Sequence, residues 1–122
     1  MLPKYWKEFL ESNSLVGKDF EVVEENDLSD LGADLRITSE EQCVSEAKEA
    51  YPGILAARIG YFPVAMCLSG SGDYYYINTN EGKGGALYRV YHDSVSDGQI
   101  QANGIEKVLT NYESLLSIGS AL

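Results

Sequence analysis

Within LSGSGDYYYINTNEGKGG (68–85), the run Gly70-Ser71-Gly72-Asp73 is the stretch of this sequence that most suggests chemistry. Closely spaced glycines can cradle a phosphate, and a serine among them can act as a nucleophile. A phosphate loop must leave a strand and enter a helix, so that free N–H groups and the helix dipole converge on the anion. Here the glycines lead into Asp73-Tyr74-Tyr75-Tyr76-Ile77, a strongly strand-forming run, with no GK[ST] sequence and no helix behind it. An aspartate directly after the glycines also repels phosphate. The stretch reads instead as a hairpin turn, in which glycine supplies positive φ and Asp73 accepts hydrogen bonds from turn amides. That reading leaves Asp73 exposed beside the tyrosines, where a partner can contact it.

The other reactive side chains are few. Ser69 and Ser71 lack an evident base, because His92 is the only histidine and Asp93, its neighbour, points to the opposite face of a strand. Cys43 and Cys67 form no CxxC or Cys/His spacing and read as buried, reduced thiols. Glu24, Glu25, Asp27 and Asp30 lie close enough in sequence for a loose divalent site, but a solvated acidic turn is the simpler reading. The expectation is therefore no catalytic residue, no metal site and no cofactor.

The elements that must position these groups follow from periodicity. LPKYWKEFLES predicts a first helix with Tyr5, Trp6, Phe9 and Leu10 along one face, ending near Asn13 or Ser14. DFEVVEEN and ADLRIT alternate as strands, with Phe20 and Val22, then Leu35 and Ile37, facing together. Ser39 and Gln42 have capping-box spacing, which predicts a second helix from Glu40 to about Tyr51, stopped by Pro52-Gly53. A short helical turn over 54–60 precedes three strands in meander order, Val64–Leu68, Tyr74–Asn78 and Ala86–Tyr91. A loop over 93–104 leads to a last strand at 105–110. Asn111 then caps a closing helix carrying Tyr112, Leu115, Leu116 and Ile118 and ended by Gly119. The class is α+β in a single domain over 1–122, an antiparallel sheet with N-terminal, middle and C-terminal helices packed on it.

Charge placement narrows the function. The net charge is −10, and residues 8–50 hold 13 acidic against 3 basic residues, which accounts for the whole excess. Such a surface repels nucleic acid and membrane phosphates and attracts a basic protein. Nine tyrosines stand against three phenylalanines, and Tyr74, Tyr75, Tyr76, Tyr88 and Tyr91 fall on the central meander. Alternation sends Tyr74 and Tyr76 to one face and Tyr75 with Ile77 to the other, so one set is core and the other partly exposed. Candidate partner-binding residues are Glu24, Glu25, Asp27, Asp30, Asp73 and Tyr75. Whether the acidic half or the tyrosine-rich sheet docks is left open. No signal-peptide pattern is visible in MLPKYWKEFL, and the longest apolar run, Tyr61–Leu68, is too short to span a bilayer, so a cytoplasmic protein is expected.

LPKYWKEFLES, YPGILAARIGYFPVAMCLSGSGDYYYINT, ALYRVYHDSV and TNYESLLSIG together resemble the SUKH superfamily, which includes fungal cell-wall synthesis regulators and bacterial toxin-immunity proteins. Gly72-Asp73 matches that family's turn motif. The resemblance implies an α+β fold without a catalytic site. It also implies a protein-binding role, either neutralising a cognate toxin, often a nuclease, or regulating and scaffolding a pathway such as cell-wall synthesis. The acidic stretch Asp19–Asp34 is the part least like a motif.

Overall fold

The computed structural model describes residues 2–118 and 120–121. Helix α1 (Lys4–Asn13) begins at Pro3, whose carbonyl accepts from the N–H groups of Trp6 and Lys7. It ends where Ser14 turns left-handed (φ 51°) and the Leu15 N–H reaches back to the Leu10 carbonyl at 3.0 Å. Its apolar stripe of Trp6, Phe9 and Leu10 is buried, as the spacing predicts. Strands β1 (Asp19–Val22) and β2 (Ala33–Ile37) pair antiparallel with Phe20 opposite Leu35, so one face of both strands is apolar.

Helix α2 (Glu40–Glu49) carries the predicted capping box, Ser39 Oγ accepting from the Gln42 N–H and the Gln42 side chain from the Ser39 N–H. It stops two residues earlier than the sequence predicts, and Tyr51 is exposed rather than packed. The residue before a proline is pushed out of helical geometry, and Pro52 follows directly. The short helix α3 (Gly53–Arg58) then leads into β3 (Tyr61–Cys67), β4 (Tyr74–Asn78) and β5 (Leu87–Val90), the expected meander. The expected loop over 93–104 contains a small hairpin of β6 (Val95–Ser96) and β7 (Gln99–Ile100). β8 (Ile105–Leu109) extends the meander beside β5. Asn111 caps as predicted, its side chain accepting from the Glu113 N–H at 2.8 Å, but the closing helix is shorter than expected. A 3-10 turn at Tyr112–Ser114 is followed by α4 (Leu115–Ile118) and β9 (Ser120–Ala121). Gly119, the predicted stop, lies outside the described residues.

The strand order is β8-β5-β4-β3-β2-β1-β9, antiparallel throughout. β8 and β9 are consecutive in the main sheet yet stand at its two ends, joined only by residues 110–119. In a flat sheet those edges would lie about 29 Å apart, six strand spacings, which is beyond the reach of a short, half-helical link. The sheet therefore curls until its ends approach. Two contacts cross the gap from the β1–β2 loop. The Leu28 N–H donates to the Val108 carbonyl at 2.9 Å, and Asp27 meets Arg89 of β5, Oδ2 to Nη2, at 3.0 Å.

Both faces of β4 are covered. Tyr75 and Ile77 join the main core with Trp6, Phe9, Leu35 and Tyr112, and the Trp6 and Phe9 rings each meet Tyr112 edge-on at 5.0 Å. On the other face Tyr76, Tyr88 and Val90 pack with Ala56 of α3 and with Ile100 and Ile105. The alternation of the tyrosines is as predicted, but neither set faces a partner, because α3 and the β6–β7 hairpin cover the second face. Tyr76 is fully buried and Tyr74 half-buried.

Arg89→Ala should unfold at lower urea, losing about 3–5 kcal/mol, because it leaves the Asp27 carboxylate buried without its cation. A loss under about 1 kcal/mol would show that the pair does not close the sheet.

Candidate functional site

Val22 ends β1 at the start of a loop that runs to Gly32, and the loop's shape is set by one inward residue. Asp27 is 2% exposed. Its Oδ1 accepts from the Ser29 N–H and the Ser29 hydroxyl, both at 2.7 Å, while Oδ2 accepts from Arg89. The same Arg89 Nη2 donates to the Gly32 carbonyl at 2.7 Å, so the guanidinium holds the middle of the loop and its far end. With Asp27 turned in, the flanking side chains turn out. Glu24, Glu25 and Asp30 are exposed, and so are Val23, Leu28 and Leu31.

Beside this loop lies an open groove of about 420 Å³. Glu21, Glu24, Glu25 and Asp34 line it with Val23 and Leu31, and Ser69 reaches it from the β3–β4 turn. Among the described residues no lysine or arginine lines it. Arg89 of β5 is engaged with Asp27, and Arg36 of β2 with Asp19 through two bonds of 2.7 and 3.0 Å. Four carboxylates without a cation among them in a concave surface focus a negative potential.

The structure divides the sequence-predicted partner residues. Glu24 and Glu25 line the groove, and Asp30 is exposed on the same loop. Asp27, Asp73 and Tyr75 are corrected. Asp27 is buried against Arg89, since a cation beyond the loop draws it inward. Tyr75 is 1% exposed in the main core, with the Arg89 guanidinium 5.3 Å from its ring centre. Asp73 is buried at the mouth of its turn and holds His92. Glu21, Asp34, Val23 and Leu31 were not singled out from the sequence. The signal that could have found the leucine is DLSDLG, where Leu28 and Leu31 fall in a polar turn that belongs to neither strand's alternation.

The residues of the opening motif serve as architecture. Gly70 and Gly72 have φ of 86° and 81°, as a tight turn requires. Asp73 Oδ1 accepts from the His92 backbone N–H at 2.8 Å and lies 2.5 Å from His92 Nδ1. The acid that orients the lone imidazole is thus the turn aspartate, while Asp93 makes no bond to it. That hydrogen bond raises the His92 pKa above its ordinary value, against the opposing effect of burial. Among the described residues neither thiol hydrogen-bonds to His92. Cys43 is fully buried beside the Thr38 hydroxyl at 3.1 Å, and burial pushes its pKa up to about 11. Cys67 departs from the sequence reading: it is only half-buried, with Sγ 2.9 Å from the Ser69 hydroxyl. Burial raises its pKa, but hydrogen bonds from Ser69 and Ser71 outweigh that and leave it below the usual thiol value. Among the described residues no three His, Cys, Asp or Glu side chains converge to hold a metal ion, and no helix is long and apolar enough to cross a membrane.

Comparison of the chain with family models, curated proteins and solved structures found no match.

Tyr75→Ala should cost about 3–5 kcal/mol in a denaturation experiment, the loss typical of a deleted core aromatic, and a variant as stable as the parent would return this ring to the surface. The His92–Asp73 pair has a predictable pH signature. Because the folded pKa is raised, its stabilisation is fully present below the unfolded histidine value of about 6.5 and is lost as pH rises through the higher folded value. The gap in Tm between the parent and His92→Gln should be widest at about pH 5.5 and shrink towards pH 8. A gap independent of pH would mean that the charge of the imidazole adds nothing to its bond with Asp73.

Proposed function

We propose that this chain is a non-enzymatic protein-binding module that docks a basic protein against the groove beside the β1–β2 loop. The observation that carries this reading is the groove itself, lined by Glu21, Glu24, Glu25 and Asp34 with no cation among the described residues that line it. Desolvating four unpaired carboxylates against a neutral or acidic surface is costly, whereas lysine and arginine offset that cost and are steered in from a distance.

The resemblance to SUKH proteins supports a specific role: immunity, in which the chain neutralises a cognate toxin one-to-one in the cytoplasm of a bacterium. A toxin that grips phosphate, such as a nuclease, must be basic where it does so, and an acidic body seated there blocks access without any reaction. A regulator or scaffold of the same fold is the other reading that the resemblance offers, and the product of a neighbouring gene separates the two. A toxin that is co-purified by this chain and inhibited by it supports immunity, and a partner without toxic activity overturns it.

Association kinetics test the surface. Glu24→Lys, Glu25→Lys and Asp30→Lys combined should slow binding to the basic partner by roughly tenfold or more at low salt and flatten its salt dependence. Asp27 is left out of that set because changing it would unfold the loop. An unchanged association rate would remove the groove as the docking surface.

A further inference from the structure

A surface that worked by charge alone would need only its carboxylates. This groove also carries two exposed apolar side chains, Val23 at 42% and Leu31 at 56% exposure, between Glu21, Glu24, Glu25 and Asp34. Single exposed leucines are common on protein surfaces. Apolar side chains in a concave site ringed by like charges match instead the arrangement of an interface centre inside a polar rim. Their position is fixed before any partner arrives. Asp27 holds Ser29 and Arg89, Arg89 holds the Gly32 carbonyl, and the Leu28 N–H is bonded to Val108, so the loop loses little freedom on binding.

We propose that the groove selects a partner segment of mixed character, one large apolar side chain flanked by lysines or arginines. Val23 and Leu31 receive the apolar group, and Glu21, Glu24, Glu25 and Asp34 receive the cations. The inference rests on the docking reading above and adds to it what the partner must present. A second copy of the chain is disfavoured as the occupant, since a symmetric contact at this patch would set four carboxylates against four. An unmixed basic surface would satisfy the carboxylates and leave the two apolar side chains in water. An unmixed apolar surface would bury the carboxylates unpaired.

The division of labour follows. The carboxylates set how fast a partner arrives and how salt affects it, and Leu31 sets how long it stays.

The test is a titration of the isotope-labelled full chain, followed by NMR, with two short synthetic peptides of equal lysine and arginine content. One has a central leucine and the other a serine in its place. The leucine peptide should shift the backbone amides of residues 21–34 and bind about tenfold more tightly than the serine peptide, the difference that one partly buried leucine makes. Leu31→Ser should erase that preference while leaving the weaker, salt-sensitive binding of both peptides. Leu28→Ser, in the same loop but outside the groove lining, should leave the preference intact, and thermal melts of both variants confirm that they are folded. Equal affinity for the two peptides at residues 21–34 would overturn the apolar anchor and leave charge-driven docking standing. Failure of both peptides to bind there would overturn both. Self-association of the parent chain in sedimentation, relieved by Leu31→Ser, would overturn the inference in favour of a second copy.

Discussion

One buried ion pair decides the shape of this molecule. Asp27 sits in the loop after β1 and Arg89 in β5, 62 residues later, and their contact fastens the two ends of the curled sheet. Neither charge would be tolerated there alone, since an unpaired carboxylate removed from water costs several kcal/mol, on the order of the stability of a small domain. Asp27 is instead bonded by Ser29 and Arg89, while Arg89 meets Asp27 and the Gly32 carbonyl through Nη2 and lies against the ring of Tyr75. Its Nε is left without a partner. Such a pair is a poor source of net stability compared with a hydrophobic contact of equal volume, but removing either partner leaves a buried charge uncompensated. The curl, the loop and the groove beside the loop are set together.

A second, smaller clip repeats the logic. Asp73 leaves its glycine turn and takes both the backbone N–H and the imidazole of His92, tying the β3–β4 connection to the residue two past β5. In both cases an aspartate that looks exposed in sequence has been recruited inward by a group far along the chain. The carboxylates that remain outside, Glu21, Glu24, Glu25 and Asp34, have no such group beyond them. What sorts this acidic chain into structural and surface charges is the location of the few cations and of the one histidine.

That sorting marks where sequence reasoning reaches its end. The helix caps at Ser39 and Asn111, the alternating strands and the turn at Gly70–Gly72 are local, and local patterns carried them. Period-two alternation placed Tyr75 and Tyr76 on opposite faces but carries no information on whether a face is covered. α3 and the β6–β7 hairpin, which bury Tyr76, Tyr88 and Val90, are short, weakly patterned pieces whose packing is decided by the sheet they land on. The curl is legible only from the pairing of Asp27 with Arg89 and of β9 with β1, both long-range. Cys67 fell on the wrong side of the surface for a similar reason, as the last residue of β3 beside an open turn. For the candidate site, the electrostatics were legible in the distribution of charge over 8–50, while the apolar side chains within it were not. A valine at a strand end and a leucine in a polar turn gain meaning only once the loop is folded against Arg89.

The negative field and the exposed apolar side chains also constrain each other. Val23 and Leu31 left open on a neutral protein would invite association between copies, the usual fate of an apolar patch that has no cover. Surrounded by carboxylates, and on a chain of net charge −10, the same side chains meet repulsion from every other copy before they can touch. On the docking proposed above, acidity in this stretch guards the surface from its own kind while leaving it open to a basic partner. The arrangement requires the loop to be rigid, because a flexible loop could fold its leucine back onto the core and abolish the site. The inward aspartate prevents that: by fixing Asp27 against Arg89, the fold keeps Leu31 out in water among the carboxylates, where the proposed basic partner would cover it.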